Sequence, residues 1–181
     1  MTRISILSKE DMSDEQRSVI DASVASGQPN RGPFWAYIRN PKLMRTVHDM
    51  NDCLADSTLS RREQLIAILT VARHWGAKFP WAVQVNAAGE IGLDQDIIDA
   101  INSRSALSID DRRESLAHRV AAELLADHGL SDATYEAAEE AFTTDELIIL
   151  IARIGSFSMT CCTANGFDIT PPEDAPARLA E

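Results

Sequence analysis

The sequence predicts an all-α chain, and three observations carry that expectation. Ser followed three residues later by Gln, Glu or Asp recurs at Ser13–Gln16, Ser60–Glu63 and Ser108–Asp111, a spacing that satisfies orphan amides at a helix N-terminus from both sides. Glycines stand where such helices would stop, at Gly27, Gly76, Gly92 and Gly129. No stretch alternates apolar and polar residues long enough to insist on a strand.

Taken in order, Ser13 opens a helix over 14–26 that Gly27 closes, and "SGQPNRGPF" is a loop. Asn40-Pro41 opens a second helix over 41–56, with Pro at the first helical position where its missing N–H does no harm. Ser60 opens a third over 61–75. Its segment "LIAILTVA" has the composition of a buried strand, but Ser60–Glu63 before it and Gly76 after it favour a helix. The four residues 76–79 then lead into a helix over 80–91 begun by Pro80, a connection short enough for an antiparallel hairpin. Further helices are expected over 94–103, 109–128, 132–141 and 144–166. Pro171 and Pro172 bar continuation of the last helix, and "DITPPEDAPARLAE" is a tail lying on a surface. One domain over 1–173 with a tail at 174–181 is the expected organisation.

The bulk properties restrict the partners. A chain of 181 residues, 45% hydrophobic, can bury a single core. Its net charge of −11 opposes nucleic-acid binding, which requires clustered Lys and Arg to displace counterions. "MTRISILSKEDMSDEQR" has no basic segment followed by an apolar one, and no uninterrupted apolar run approaches the ~18 residues of a membrane span. A cytoplasmic protein without membrane association is expected. Three cysteines, two of them adjacent, do not describe a disulfide scaffold. Cys161 and Cys162 in "IGSFSMTCCTANGF", and Cys53, are expected to pack as small hydrophobes. His48 and Asp52 share a helix face at i, i+4, but no second pair completes a ligand set, so no metal is expected. "DDRRES" and "ELLADH", with His118 and His128, read as a solvated charged face.

The hairpin carries most of the chemistry on offer. On a helical wheel Leu65, Ile68, Leu69, Ala72 and Trp75 share one broad face, while Glu63, Ala67, Thr70 and His74 form the opposite stripe. A helix so apolar is buried on several sides, and its polar stripe faces either a partner group, a pocket or solvent. Glu63 lies ~16 Å along the axis from His74, so the two share a groove without touching. His74 falls near Gln84 across the turn.

"LSRREQLIAILTVARHWGAKFPWAVQVNAAGEIGLDQDIIDAI" resembles the central segment of the carboxymuconolactone decarboxylase family, which includes the alkylhydroperoxidase D-like proteins. The likeness extends to "RGPFWAYIRNPKLM" and "DELIILIARIGSFSMTCCTANGFDITPP", roughly residues 14 to 173. It implies an all-helical alkylhydroperoxidase D-like fold, self-association into homo-oligomers, and one of two chemistries: decarboxylation of a carboxylated unsaturated lactone, or peroxide reduction by a Cys-x-x-Cys pair. The first Cys of that pair falls at Ala77, the second Cys or an acid at Pro80, and the family His at Gln84. Without a thiolate to attack or a second thiol to resolve, thiol peroxidase chemistry is not expected at this hairpin.

Two readings therefore stand. In one, a cofactor-free lyase or isomerase acts on a small cyclic or unsaturated carboxylate. His74 or Glu63 moves protons, Gln84 positions the substrate, Trp81 and Phe34 wall an apolar cleft, and Arg31 supplies positive charge. In the other, the chain binds a small ligand or serves as an oligomeric accessory protein without catalysis. Glu63 as a cap and His74 as a brace of the turn are the structural alternatives to catalytic duty.

Overall fold

The computed structural model describes residues 2–171, 175 and 178–180. Its helices are α1 (Asp14–Ser26), α2 (Phe34–Tyr37), α3 (Pro41–Ala55), α4 (Arg61–His74), α5 (Lys78–Glu90), α6 (Gln95–Ser103), α7 (Arg112–Asp127), α8 (Asp132–Ala141) and α9 (Thr144–Gly166). No strand occurs among the described residues.

Helix α4 is the axis of the bundle, packed against α5, α6, α7 and α9. Leu65, Ile66, Leu69 and Val71 have no solvent exposure, and burial of each is worth on the order of 2 kcal/mol. Around them Trp81, Ile97, Ile98, Leu116, Val120, Leu150 and Ile154 complete the main core. Val19, Phe34, Tyr37, Ile38, Met44 and Val47 form a second cluster under α1–α3. Trp75, expected on the apolar face, instead ends α4 and is 39% exposed, because the chain turns there toward α5.

The capping boxes at Ser13–Gln16 and Ser60–Glu63 form in full, and a third joins Thr143 to Glu146. Helix α7 starts later than expected. Asp111 itself is the N-cap, its carboxylate accepting from the amides of Arg113 and Glu114, so Ser108 is left outside. Helix α5 starts earlier, at Lys78, which puts Pro80 at the third position. An amide there has no intrahelical acceptor, so proline is tolerated as well as at the first position. His128 rather than Gly129 takes the left-handed conformation after α7, at φ 62°.

Helix α9 ends at Gly166, before Pro171, while Pro172 lies outside the described residues. Of the tail at 174–181, Arg178–Ala180 are described in part by their docking on α6. Asn102 donates to the Arg178 carbonyl at 3.0 Å and accepts from the Ala180 amide at 2.8 Å, and Leu179 packs on the main core.

Candidate functional site

The polar stripe of α4 faces α7, and its two ends meet different surroundings. At the N-terminal end Glu63 accepts from the Ser60 amide and from Arg113 Nε, both at 2.6 Å. Arg113 also donates to Glu146 at 2.9 Å and to the Ala141 carbonyl at 2.7 Å, with its guanidinium 4.5 Å from the centre of the Phe142 ring. The Glu63 and Glu146 side chains are only 4% and 8% exposed. Arg113 and the Thr143 amide hold the Glu146 carboxyl down to about 2. Glu63 thus caps α4 and ties it to α7 and α9, with both carboxylate oxygens engaged. The segment read as a solvated face is half inside the fold, since Glu114 likewise pairs with Arg62 at 2.5 Å.

At the other end the stripe opens into a cleft of about 360 Å³ between α4, α6 and α7, bounded by Thr70, Arg73, His74, Arg104 and His118 among others. His118, expected in solvent, turns inward and meets the Thr70 hydroxyl at 2.9 Å. That hydroxyl donates to the Ile66 carbonyl at 2.8 Å. Its oxygen is then left to accept from His118 Nδ1–H, a pattern that assigns the proton to Nδ1 and leaves the Nε2 lone pair free. Burial lowers the His118 pKa. His74 is lowered as well, first by burial, then by Arg104 and His128. Both imidazoles are therefore mainly neutral and basic near pH 7.

Two cations share this cleft. Arg73 donates through Nε to the Asn102 carbonyl at 2.5 Å, and Arg104 reaches the Arg73 carbonyl at 3.4 Å. Neither pairs with a carboxylate among the described residues. Arg104 holds a left-handed backbone at φ 54° after α6, a position where glycine is the relaxed choice. An apolar floor comes from Ile101, Leu107 and Leu125.

The remaining residues singled out from sequence do not join this cleft. Trp81 is 1% exposed in the main core, and Phe34 stacks on His48 in the second cluster with ring centres 5.1 Å apart. Arg31 is exposed on its loop. The loop does reach the hairpin, through Gly32 against the Phe79 ring and through Trp35, 6.0 Å from the same ring. Gln84 is half-buried, and its carbonyl oxygen, like Trp81 Nε1 and Arg153 Nε, is buried without a hydrogen-bond partner among the described residues. Gln84 and His74, expected to approach across the turn, share no hydrogen bond among the described residues, and that carbonyl oxygen has no donor. His118, Arg73 and Arg104 escaped the sequence reading. Only the placement of Thr70 and His74 on one stripe pointed toward them.

The second cleft, of about 230 Å³ between α1 and α3, includes Ser23, His48 and Asp52. His48 is locked there, Nε2 donating to the Pro29 carbonyl at 2.9 Å and Nδ1 lying 3.4 Å from Ser23 Oγ. The cysteines divide: Cys161 is buried with its thiol pKa pushed far up by burial, whereas Cys53 and Cys162, also expected in the core, are exposed.

No protein-family profile and no curated protein matches the chain in sequence. Solved structures do match in fold. The chain is similar to an uncharacterised peroxidase-related protein with an alkylhydroperoxidase AhpD core from Ralstonia eutropha JMP134. The two share 17% identity and a TM-score of 0.76, over 96% of this chain and 93% of that one. It is also similar to an uncharacterised peroxidase-related protein from Silicibacter sp. TM1040, at 19% identity and a TM-score of 0.75, over 99% and 96%. The architecture is thus the all-helical, alkylhydroperoxidase D-like fold.

Proposed function

We propose that this chain is a cofactor-free proton-transfer catalyst, a lyase or isomerase of small unsaturated carboxylates, working in the cleft between α4, α6 and α7. The observation that carries the reading is His118. It is neutral, braced by Thr70, and has one free ring nitrogen beside cations without carboxylate partners among the described residues. A substrate carboxylate pairs with Arg104 and Arg73, whose charge favours the enolate that forms when a proton leaves the adjacent carbon. His118 Nε2 takes that proton and returns it at a conjugated carbon. Where CO2 leaves instead, the carbanion left by the broken C–C bond takes a proton that solvent supplies through His74. His74, at the exposed lip, exchanges protons with solvent. Glu63 acts at a distance, by fixing the register of α4 against α7.

Peroxide reduction by a thiol pair fits this chain poorly, although the similar structures are peroxidase-related by name. Ala77 and Pro80 offer no sulfur, and the Cys161 thiol resists ionisation.

The test follows C–H exchange in D2O by NMR with a panel of β,γ-unsaturated carboxylates and carboxylated lactones. His118→Gln should lower the exchange rate ~100-fold or more while leaving binding by calorimetry nearly unchanged, since a general base supplies ~10²–10⁴-fold. Arg104→Gln should weaken binding. Exchange undiminished in His118→Gln overturns the assignment, and binding without exchange in the unaltered protein points to the ligand-binding reading.

A further inference from the structure

One residue, Asn102, joins the cleft between α4, α6 and α7 to the C-terminal tail. It lies in the last turn of α6, where a carbonyl has no partner within its own helix. That carbonyl accepts instead from Arg73 Nε at 2.5 Å. The Asn102 side-chain amide grips the main chain of the tail at two points, Nδ2 donating to the Arg178 carbonyl at 3.0 Å and Oδ1 accepting from the Ala180 amide at 2.8 Å. Between those points Leu179 is half-buried against the main core. It is the one large apolar residue in "PPEDAPARLAE", so its burial selects the register in which the tail docks. Arg104 follows Asn102 out of the helix, and Ser105 returns its amide to the Ala100 carbonyl at 3.1 Å. This one hydrogen-bonded turn carries Arg104 and holds Arg73, the two cations of the cleft.

We propose that Asn102 and Leu179 are positioning residues for Arg73: the docked tail fixes the end of α6, and the Asn102 carbonyl then holds the Arg73 guanidinium at the cleft. The consequence for carboxylate binding rests on the function proposed above, whereas the coupling of the tail to Arg73 does not. Helix ends fray unless something ties them down, and a frayed last turn would carry the Asn102 carbonyl away with it. Arg73 hydrogen-bonds through Nε alone among the described residues, which leaves its terminal N–H donors for a ligand. An arginine held in advance loses less conformational entropy when an anion arrives, so the docked tail strengthens binding without touching the ligand.

Full-length variants test this while leaving Arg73, Arg104 and both histidines in place. Asn102→Ala removes the two clasping bonds, keeps the carbonyl and favours the helix. Leu179→Asp removes the apolar anchor, and Leu179→Met keeps it. Without ligand, modification by phenylglyoxal, a reagent for guanidinium groups, is followed at each arginine by peptide mass spectrometry. Arg73 should react about 10-fold faster in Asn102→Ala and in Leu179→Asp, the size expected for release from a hydrogen bond to a charged group. The exposed Arg112 should keep its parent rate, and Leu179→Met should behave as the parent. In calorimetry with a β,γ-unsaturated carboxylate, Asn102→Ala and Leu179→Asp should bind about 5-fold or more weakly. Their C–H exchange rate at saturation should stay within about 2-fold of the parent, because His118 and Thr70 lie outside the clasp. A parent protein that binds no carboxylate removes the proposed function and leaves the reactivity comparison to decide the coupling. Equal reaction at Arg73 in the parent and all variants, or a lowered Tm in Leu179→Asp without faster reaction there, overturns the coupling and leaves the tail a stabilising role alone. Faster reaction at Arg73 with unchanged carboxylate affinity overturns its part in anion binding.

Discussion

Replacing Arg113 by Met removes a cation and keeps most of the apolar stem over Phe142. The guanidinium bridges Glu63 and Glu146, whose side chains are nearly out of solvent. Two independent routes give the cost. Stripping one partner from a buried ion pair costs ~3–5 kcal/mol, because the surviving charge keeps its desolvation penalty. A Glu146 carboxyl lowered from 4.5 to about 2 corresponds to at most ~3.4 kcal/mol at ~1.36 kcal/mol per pH unit. A third of the Arg113 side chain is open to solvent, so screening favours the lower end, about 3 kcal/mol. For a chain of this size that lowers Tm by about 10 °C.

The sign of the pH dependence separates this account from simple loss of packing. In the parent protein the depressed Glu146 contributes stability above the unfolded carboxyl value of 4.5, and loses it as pH falls through about 2. Without Arg113 the Glu146 carboxyl loses the group that holds it low, so the deficit is full at neutral pH and shrinks as acid protonates that carboxylate. Urea denaturation of both proteins at about pH 7 and about pH 3 measures the difference directly. A deficit under about 1 kcal/mol at neutral pH, or one of equal size at both values, refutes the ion-pair account.

Thiol reactivity should follow burial. With Ellman's reagent the folded chain exposes Cys53 and Cys162 and hides Cys161, so two thiols react before denaturation and the third only after it; a fast third thiol would contradict the burial that raises the Cys161 pKa. Gly32→Ala should destabilise by about 2 kcal/mol in thermal melts, because φ is +62° there and an added Cβ would overlap the Phe79 ring. An unchanged melt would mean that the loop and the hairpin are not in contact in solution.

How far the sequence could be read follows from the range of the interactions. Helix boundaries were legible because caps act within three residues. Ser13, Asn40 and Ser60 announce them locally, and only where Asp111 outcompeted Ser108, or Pro80 fitted a later position, did the starts move by more than one residue. The hairpin and its buried helix were equally visible in the wheel of α4. The cleft was not, because His118 and Arg104 are 48 and 34 residues beyond Thr70 and reach it only through the packing of α6 and α7. Nor did anything local distinguish Arg113 and Glu114, drawn inside by Glu63 and Arg62, from the exposed Arg112 beside them. Aromatic residues misled for a related reason: Trp81 and Phe34 carry enough apolar area to be drawn into the two cores.

The two ends of the α4 stripe also explain why chemistry belongs at one and not the other. In a chain with 28 acidic and 17 basic residues, a cation normally finds a carboxylate. At the N-terminal end it does: Arg113 donates to both Glu63 and Glu146, and it holds the Glu146 carboxyl well below the usual carboxylate range. Near His74 no acidic side chain among the described residues bounds the cleft, Arg73 and Arg104 have no carboxylate partner among them, and burial holds the imidazoles in the basic form. On the proposed function, an anionic ligand is the group that this end of the stripe receives. Introducing a carboxylate at the rim, by Ser105→Asp, should therefore damage binding more than removing a histidine does, because the new side chain competes for the same cations from within. Calorimetry with an unsaturated carboxylate measures it: a loss of about 10-fold or more in affinity is expected, and an affinity equal to that of His118→Gln would show that the two arginines do not hold the anion.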